Sequence, residues 1–108
     1  MILKHAAAQA VFSTEKMGKV SLGAGEHLYA GLNCFEPGQQ HAAHVHADQD
    51  KLYVVLRGSG EAIVGEETAA VTVGDVVLAP AGVPHGLRNS SAERFVVLVV
   101  FGPPPKKD

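Results

Sequence analysis

Three of the chain's six histidines fall within HAAHVHADQDK, residues 41–51. His44 and His46 are two residues apart. On a strand, that spacing sends both imidazoles to one face. Two imidazoles side by side are half of a transition-metal site, because their borderline nitrogen donors suit Fe, Mn, Ni, Zn or Cu. Read alone, His-x-His also fits a half-exposed strand with two polar residues facing water. The stretch ends in Lys51, and a cation is an unusual neighbour for a divalent ion.

His41 precedes His44 by three residues. Strict alternation turns it to the opposite face, as a surface or interface residue. His27 sits in an alternating segment and reads as a hydrogen-bonded structural histidine, with the mouth of a cavity as the alternative. His5 carries no sign of function. Cys34 alternates with leucine and alanine, which fits a packed thiol, and a place near a metal is the alternative. Arg57 and Arg88 flank turns and read as solvated. No Ser-His-Asp arrangement, phosphate loop or C-x-x-C is present.

The elements that must position these residues are short. Glycine and proline recur about every ten residues, between segments rich in Val, Leu, Phe and Tyr, and that rhythm predicts an all-β sandwich or barrel. Strands are expected over 27–35, 41–46, 51–56, 61–64, 68–73, 75–79, 85–89 and 95–101. PAGVP, residues 80–84, reads as a rigid loop. The first dozen residues fit either one helical turn or an edge strand. The prolines near the C-terminus remove backbone donors, so residues 103–108 read as an exposed, mobile tail.

The length of 108 residues suits one domain, 1–108. With 46% hydrophobic residues a packed core is expected and intrinsic disorder is not. The formal charge of −2 argues against a nucleic-acid surface. A single cysteine permits no internal disulfide and fits a reducing cytosol. No apolar run approaches the roughly 20 residues that span a bilayer. The N-terminus lacks the ordered regions of a signal peptide. A soluble, cytoplasmic protein is expected, with no membrane partner. FVVLVVF, residues 95–101, is apolar on both faces, more than one small barrel interior requires, so a homodimer that buries the second face is expected.

Two longer patterns carry a resemblance. Gly38 is followed, after five residues, by His44-Val45-His46, and Gly58 closes the next strand. Further on, GDVVLAPAGVPHGLRN, residues 74–89, reads G-x5-P-x-G-x2-H-x3-N. Together these resemble the two motifs of the cupin superfamily, the first spanning 38–58 and the second 74–89. The resemblance implies a double-stranded β-helix, a jelly-roll barrel. It also implies that His44, His46 and His85 bind a metal inside the barrel. The first motif normally carries a glutamate after its histidines, and here that position is Lys51. An ammonium has no lone pair to give. Gln49, two residues earlier, shares the inward face if the strand extends that far, and its amide oxygen is a candidate fourth ligand beside water. Asp48 and Asp50 point away by parity, to pair with Lys51 or face water. A barrel that has lost its metal is the remaining option.

Tyr53 shares the face of Lys51 by parity. Both are candidate catalytic residues that could move a proton, and Tyr53 also fits as a core aromatic. Tyr29, Asn33 and Phe35, or the opposite set, could line the pocket. A metal held by three neutral histidines keeps open positions. A redox metal there suits oxygen activation, and zinc, nickel or manganese suits Lewis-acid chemistry. The expected function is therefore a metal-dependent enzyme, a dioxygenase or a Lewis-acid isomerase or lyase, acting on a small oxygen-bearing molecule. The alternatives are a non-catalytic module that binds a sugar or organic acid, and a structural, storage or sensor role. The fold does not choose among them.

Overall fold

The computed structural model describes residues 1–104. Residues 105–108, most of the tail expected to be mobile, lie outside the described residues. Nine strands form two antiparallel sheets. The chain runs through β1 (Gly18–Ala24), β2 (Tyr29–Phe35), β3 (Gln40–His44), β4 (Asp50–Arg57), β5 (Ser59–Val64), β6 (Glu67–Thr72), β7 (Val76–Ala79), β8 (His85–Arg88) and β9 (Phe95–Gly102). One sheet has the order β1-β2-β9-β4-β7 and the other β3-β8-β5-β6. This is the expected double-stranded β-helix. Among the described residues no helix is long and apolar enough to cross a membrane.

Alternation decides which side chains enter the barrel. Along β4, Lys51, Tyr53 and Val55 are buried, and the residues between them are more exposed. Tyr53 and Val55 join Met17, Phe35, Val71, Leu87, Phe95, Val97 and Val99 in the interior core. The rings of Phe35 and Phe95 meet at 5.4 Å between centroids. Gly58 links β4 to β5 at φ +75°, where an added Cβ would also lie on the carbonyl of Arg94. A side chain at that position is excluded twice, by conformation and by contact.

The N-terminal segment takes the helical turn, one of the two forms expected of it. It holds a 3₁₀ turn, Ala6–Gln9, and lies on the outer face of the larger sheet. Ala7, Ala10 and Phe12 pack there against Leu32, Cys34 and Val96. Arg94 stacks its guanidinium 4.2 Å from the Phe12 ring centroid while its Nε donates to Glu36 at 2.9 Å. Part of the apolar face that suggested a second subunit is thus covered by the chain itself. Leu28, Val76 and Leu78 stay 49%, 60% and 60% exposed.

Strand expectations also need correction: β2 begins at Tyr29, leaving His27 outside it, β3 ends at His44, and the other bounds shift by one or two residues. β1 was not expected, although Val20 and Leu22 alternate there with Lys19 and Ser21 and pack on the outer face of the sheet. β9 runs one residue further than expected, with Gly102 paired to Asp50.

Candidate metal centre

His44 and His85 face each other across β3 and β8 as direct register partners. His46 lies beyond the end of β3, where its carbonyl accepts a hydrogen bond from the Gly82 amide at 2.9 Å. That bond ties the loop carrying His46 to the loop presenting His85. Asp50 strengthens the tie, since its Oδ1 accepts from the Ala81 amide at 2.8 Å. Asp50 therefore does not pair with Lys51. The single ion pair among the described residues is Arg94–Glu36.

One ligand atom from each of His44, His46 and His85 lies within 4.8 Å of the others. Two nitrogens bound to one ion at about 2.1 Å lie roughly 3 to 4 Å apart, so small side-chain rotations close the set. The rings are already aimed. His44 Nδ1 lies 2.9 Å from the Ala42 carbonyl, and His85 Nδ1 lies 2.9 Å from the Val83 carbonyl. A carbonyl can only accept, so each Nδ1 carries the proton and each Nε2 keeps its lone pair. Both Nε2 atoms are buried and have no hydrogen-bond partner. Two buried lone pairs aimed at one point without a donor are costly, and a cation bound between them removes that cost.

The electrostatics favour the neutral ligand form. Burial lowers the proton affinity of His46, aided by the positive charges of Lys51, His44 and Lys19. Burial also lowers that of His85, with help from His44, Lys51 and His46, against the opposing pull of the Val83 carbonyl. Neutral imidazole is the form that binds metal.

His41 corrects the sequence reading. It was expected at the surface or an interface, yet its ring lies 4.3 Å from that of His44, tilted by 36°, and its Nδ1 is buried without a partner. The cause is a β-bulge. β3 advances three residues from His41 to His44 while β8 advances two, from Leu87 to His85. The extra residue restores a common face for His41 and His44. Gly86 admits the bulge, since an added Cβ there would lie 2.8 Å from the His41 carbonyl oxygen and 2.9 Å from the Ala43 amide. Ala42-Ala43 opposite a glycine is the local signal. Burial, His44, Lys19, Lys51 and His85 together push His41 down to about 4.

Lys51 and Tyr53 both point into the barrel. Lys51 is 6% exposed, and its Nζ sits 5.7 Å from the Tyr53 ring centroid and 5.5 Å from that of Phe101. Burial, then the charge of Lys19, pulls it down to about 8. Tyr53 is fully buried, its hydroxyl has no partner, and its ring lies 6.2 Å from His85. Burial raises the Tyr53 phenol, so it holds its proton. Gln49 is placed differently from the inward parity expected. β4 begins at Asp50, and the Gln49 amide nitrogen donates to the Pro103 carbonyl at 2.7 Å.

A cavity of about 300 Å³ is lined by Lys19, Tyr29, Asn33, His41, Lys51 and Phe101 among others, and it meets the histidine cluster through His41. Tyr29 stacks on Phe101 at 4.7 Å. Of the candidate lining set, Tyr29 and Asn33 face this cavity and Phe35 belongs to the packed core. Cys34 lies on the other face of β2, buried under the N-terminal segment.

Residues 31–101 match the family model described as the cupin domain. An uncharacterized protein of Streptomyces coelicolor is 41% identical over 78 residues, covering 72% of each chain. The crystal structure of TT1209 from Thermus thermophilus superposes with a TM-score of 0.92 at 40% identity, over 97% of this chain and 100% of that one. An RmlC-like cupin protein from Desulfovibrio desulfuricans superposes at 0.85 with 26% identity, over 97% and 99%.

Proposed function

The chain belongs to the cupin domain family, and on that footing we propose that His44, His46 and His85 hold one divalent transition metal (Fe, Mn, Ni, Zn or Cu) in a small metal-dependent enzyme. The carrying observation is the pair of buried, unpartnered Nε2 atoms of His44 and His85, whose lone pairs are set by the carbonyls behind them. A metal there supplies either oxygen activation, as in a dioxygenase, or Lewis-acid polarisation, as in an isomerase or lyase. The substrate is a small oxygen-bearing molecule that enters the adjoining cavity.

The protein's own groups do the rest. The stacked rings of Tyr29 and Phe101 give that cavity an apolar wall. The reading gives proton transfer to Tyr53 and Lys51, and its support is that both point inward and neither is engaged by a protein acceptor. Gln49 is bonded to the Pro103 carbonyl. Three histidines, with solvent or substrate completing the sphere, leave that bond intact, so this ligand set is preferred to one that includes Gln49.

One observation favours a second reading. Lys51 stands at the position where a carboxylate ligand would reduce the charge of the site, which suits a barrel that binds a sugar or organic acid without turning it over. Screening separates the two. Metal-loaded protein and its Tyr53→Phe variant are offered small oxygen-bearing compounds and followed by oxygen uptake and NMR. Conversion of a compound, slowed at least about tenfold in the variant, supports the enzyme. Saturable binding with every compound unchanged supports the binding module and overturns the enzyme.

The protein is further proposed to be a single domain, a cytoplasmic protein and a homodimer. The remaining apolar surface at Leu28, Val76 and Leu78 is the support for pairing. The one free cysteine is compatible with a reducing compartment.

A further inference from the structure

The cavity beside the histidines has an unusual charge. Lys51 lies inside it, 94% removed from solvent, and Lys19 lies on the same wall. No Asp or Glu lines it. A neighbouring hollow that shares Lys19 and His41 adds Lys16, again with no carboxylate. Buried ammonium groups are almost always paired. Lys51 is not, since the single ion pair among the described residues is elsewhere. Its surroundings are the faces of Tyr53 and Phe101, which offset only part of the lost hydration.

We propose that this cavity takes a small organic carboxylate, its anionic group on the Lys51 ammonium, with Lys19 at the entrance and the far end of the molecule reaching past His41 toward the three-histidine cluster. The position of that far end rests on the metal reading above. The contact with Lys51 does not. Three neutral imidazoles and a lysine give a metal-loaded site no protein anion, so an anionic ligand is the group that balances it. The donors suit a carboxylate better than a phosphate: one buried ammonium, one ammonium on the wall and the Asn33 side chain, with no arginine and no helix N-terminus. A cavity of about 300 Å³ equals the liquid volume of about ten waters, which fits a molecule of that many heavy atoms.

Calorimetry tests this with glycolate, pyruvate, malonate and benzoate beside their amides. Wild type, Lys51→Met and Lys51→Gln are each titrated after EDTA treatment and again after zinc loading, with thermal unfolding to confirm folding. A charge-assisted contact predicts that at least one acid binds wild type about ten- to hundredfold tighter than its amide, even without metal. Either folded variant should lose that preference, while its zinc content is unchanged. Tightening of the acid by zinc would support the reach toward the histidines. If no zinc binds, the loaded titrations are repeated with Fe, Mn, Ni and Cu, failure of all five sinks the metal reading alone, and the metal-free titrations still decide the Lys51 contact. Acids and amides bound alike, no acid bound by wild type, or an acid preference that survives both substitutions would overturn the proposal.

Discussion

Lys51→Met should stabilise the metal-free protein at neutral pH by about 2 kcal/mol. Moving the lysine from 10.5 to about 8, at about 1.4 kcal/mol for each tenfold change in proton affinity, corresponds to about 3 kcal/mol. That free energy is the cost of keeping a proton on a buried amine beside Lys19. Methionine matches the length of the stem and carries no charge, so the cost disappears, and imperfect repacking returns part of it. The pH dependence has a definite sign. The folded state releases the proton near 8 and the unfolded chain near 10.5. Between these values the unfolded chain binds more protons at this lysine, so its contribution to wild-type stability rises with pH. Above 10.5 the penalty is gone, and below about 8 it is fully present. Urea unfolding of EDTA-treated protein across that range should show the gap between variant and wild type closing, while the burial-raised Cys34 and Tyr53 lower both proteins alike. A variant less stable than wild type at neutral pH, or a gap that does not close with rising pH, would refute the reasoning.

Asn89 is fully buried, donates to the Phe35 and Glu93 carbonyls and accepts from the Ser91 amide and hydroxyl. Asn89→Ala should therefore lower the free energy of unfolding by about 2–4 kcal/mol in a urea titration, because the carbonyl of Phe35 loses a buried donor. On the acid side, His41 titrates at about 4 when folded and 6.5 when unfolded. Metal-free protein should lose stability as pH falls through that window, by about 2 kcal/mol, and His41→Leu should flatten the loss. Leu78→Asp should convert the proposed homodimer to monomer in light scattering with the fold retained; a wild type that is itself monomeric under the same conditions would contradict the pairing.

Much of this arrangement is legible in the sequence because period-two alternation is a local property. It puts Lys51 and Tyr53 on one face of a single strand, and the packing of the two sheets makes that face the inner one. His85 is legible only through the resemblance of residues 74–89 to the second cupin motif. What escapes is whatever depends on a distant partner. The bulge at Ala42-Ala43 breaks parity, and only the opposing Gly86 reveals that it fits, so His41 reads as outward. Gln49 reads as inward because nothing local shows where β4 begins or that its amide meets a carbonyl 54 residues away. β1 alternates only over Lys19–Leu22, a signal too short among its glycines to mark a strand without its pairing to β2 at the sheet edge. The covering of Leu32, Cys34 and Val96 by the N-terminal segment is likewise a tertiary event. It removes part of the argument for a partner subunit that an apolar strand suggests.

The metal content of untagged protein, wild type beside His85→Ala, tests the central claim most directly. Elemental analysis should find about one transition-metal ion per wild-type chain, native or after soaking with Fe, Mn, Ni, Zn and Cu in turn, and a loss of at least about tenfold in occupancy when the His85 ligand is removed. A wild type that retains none of these ions after soaking, or a His85→Ala variant that retains as much as wild type, would contradict a metal held by His44, His46 and His85.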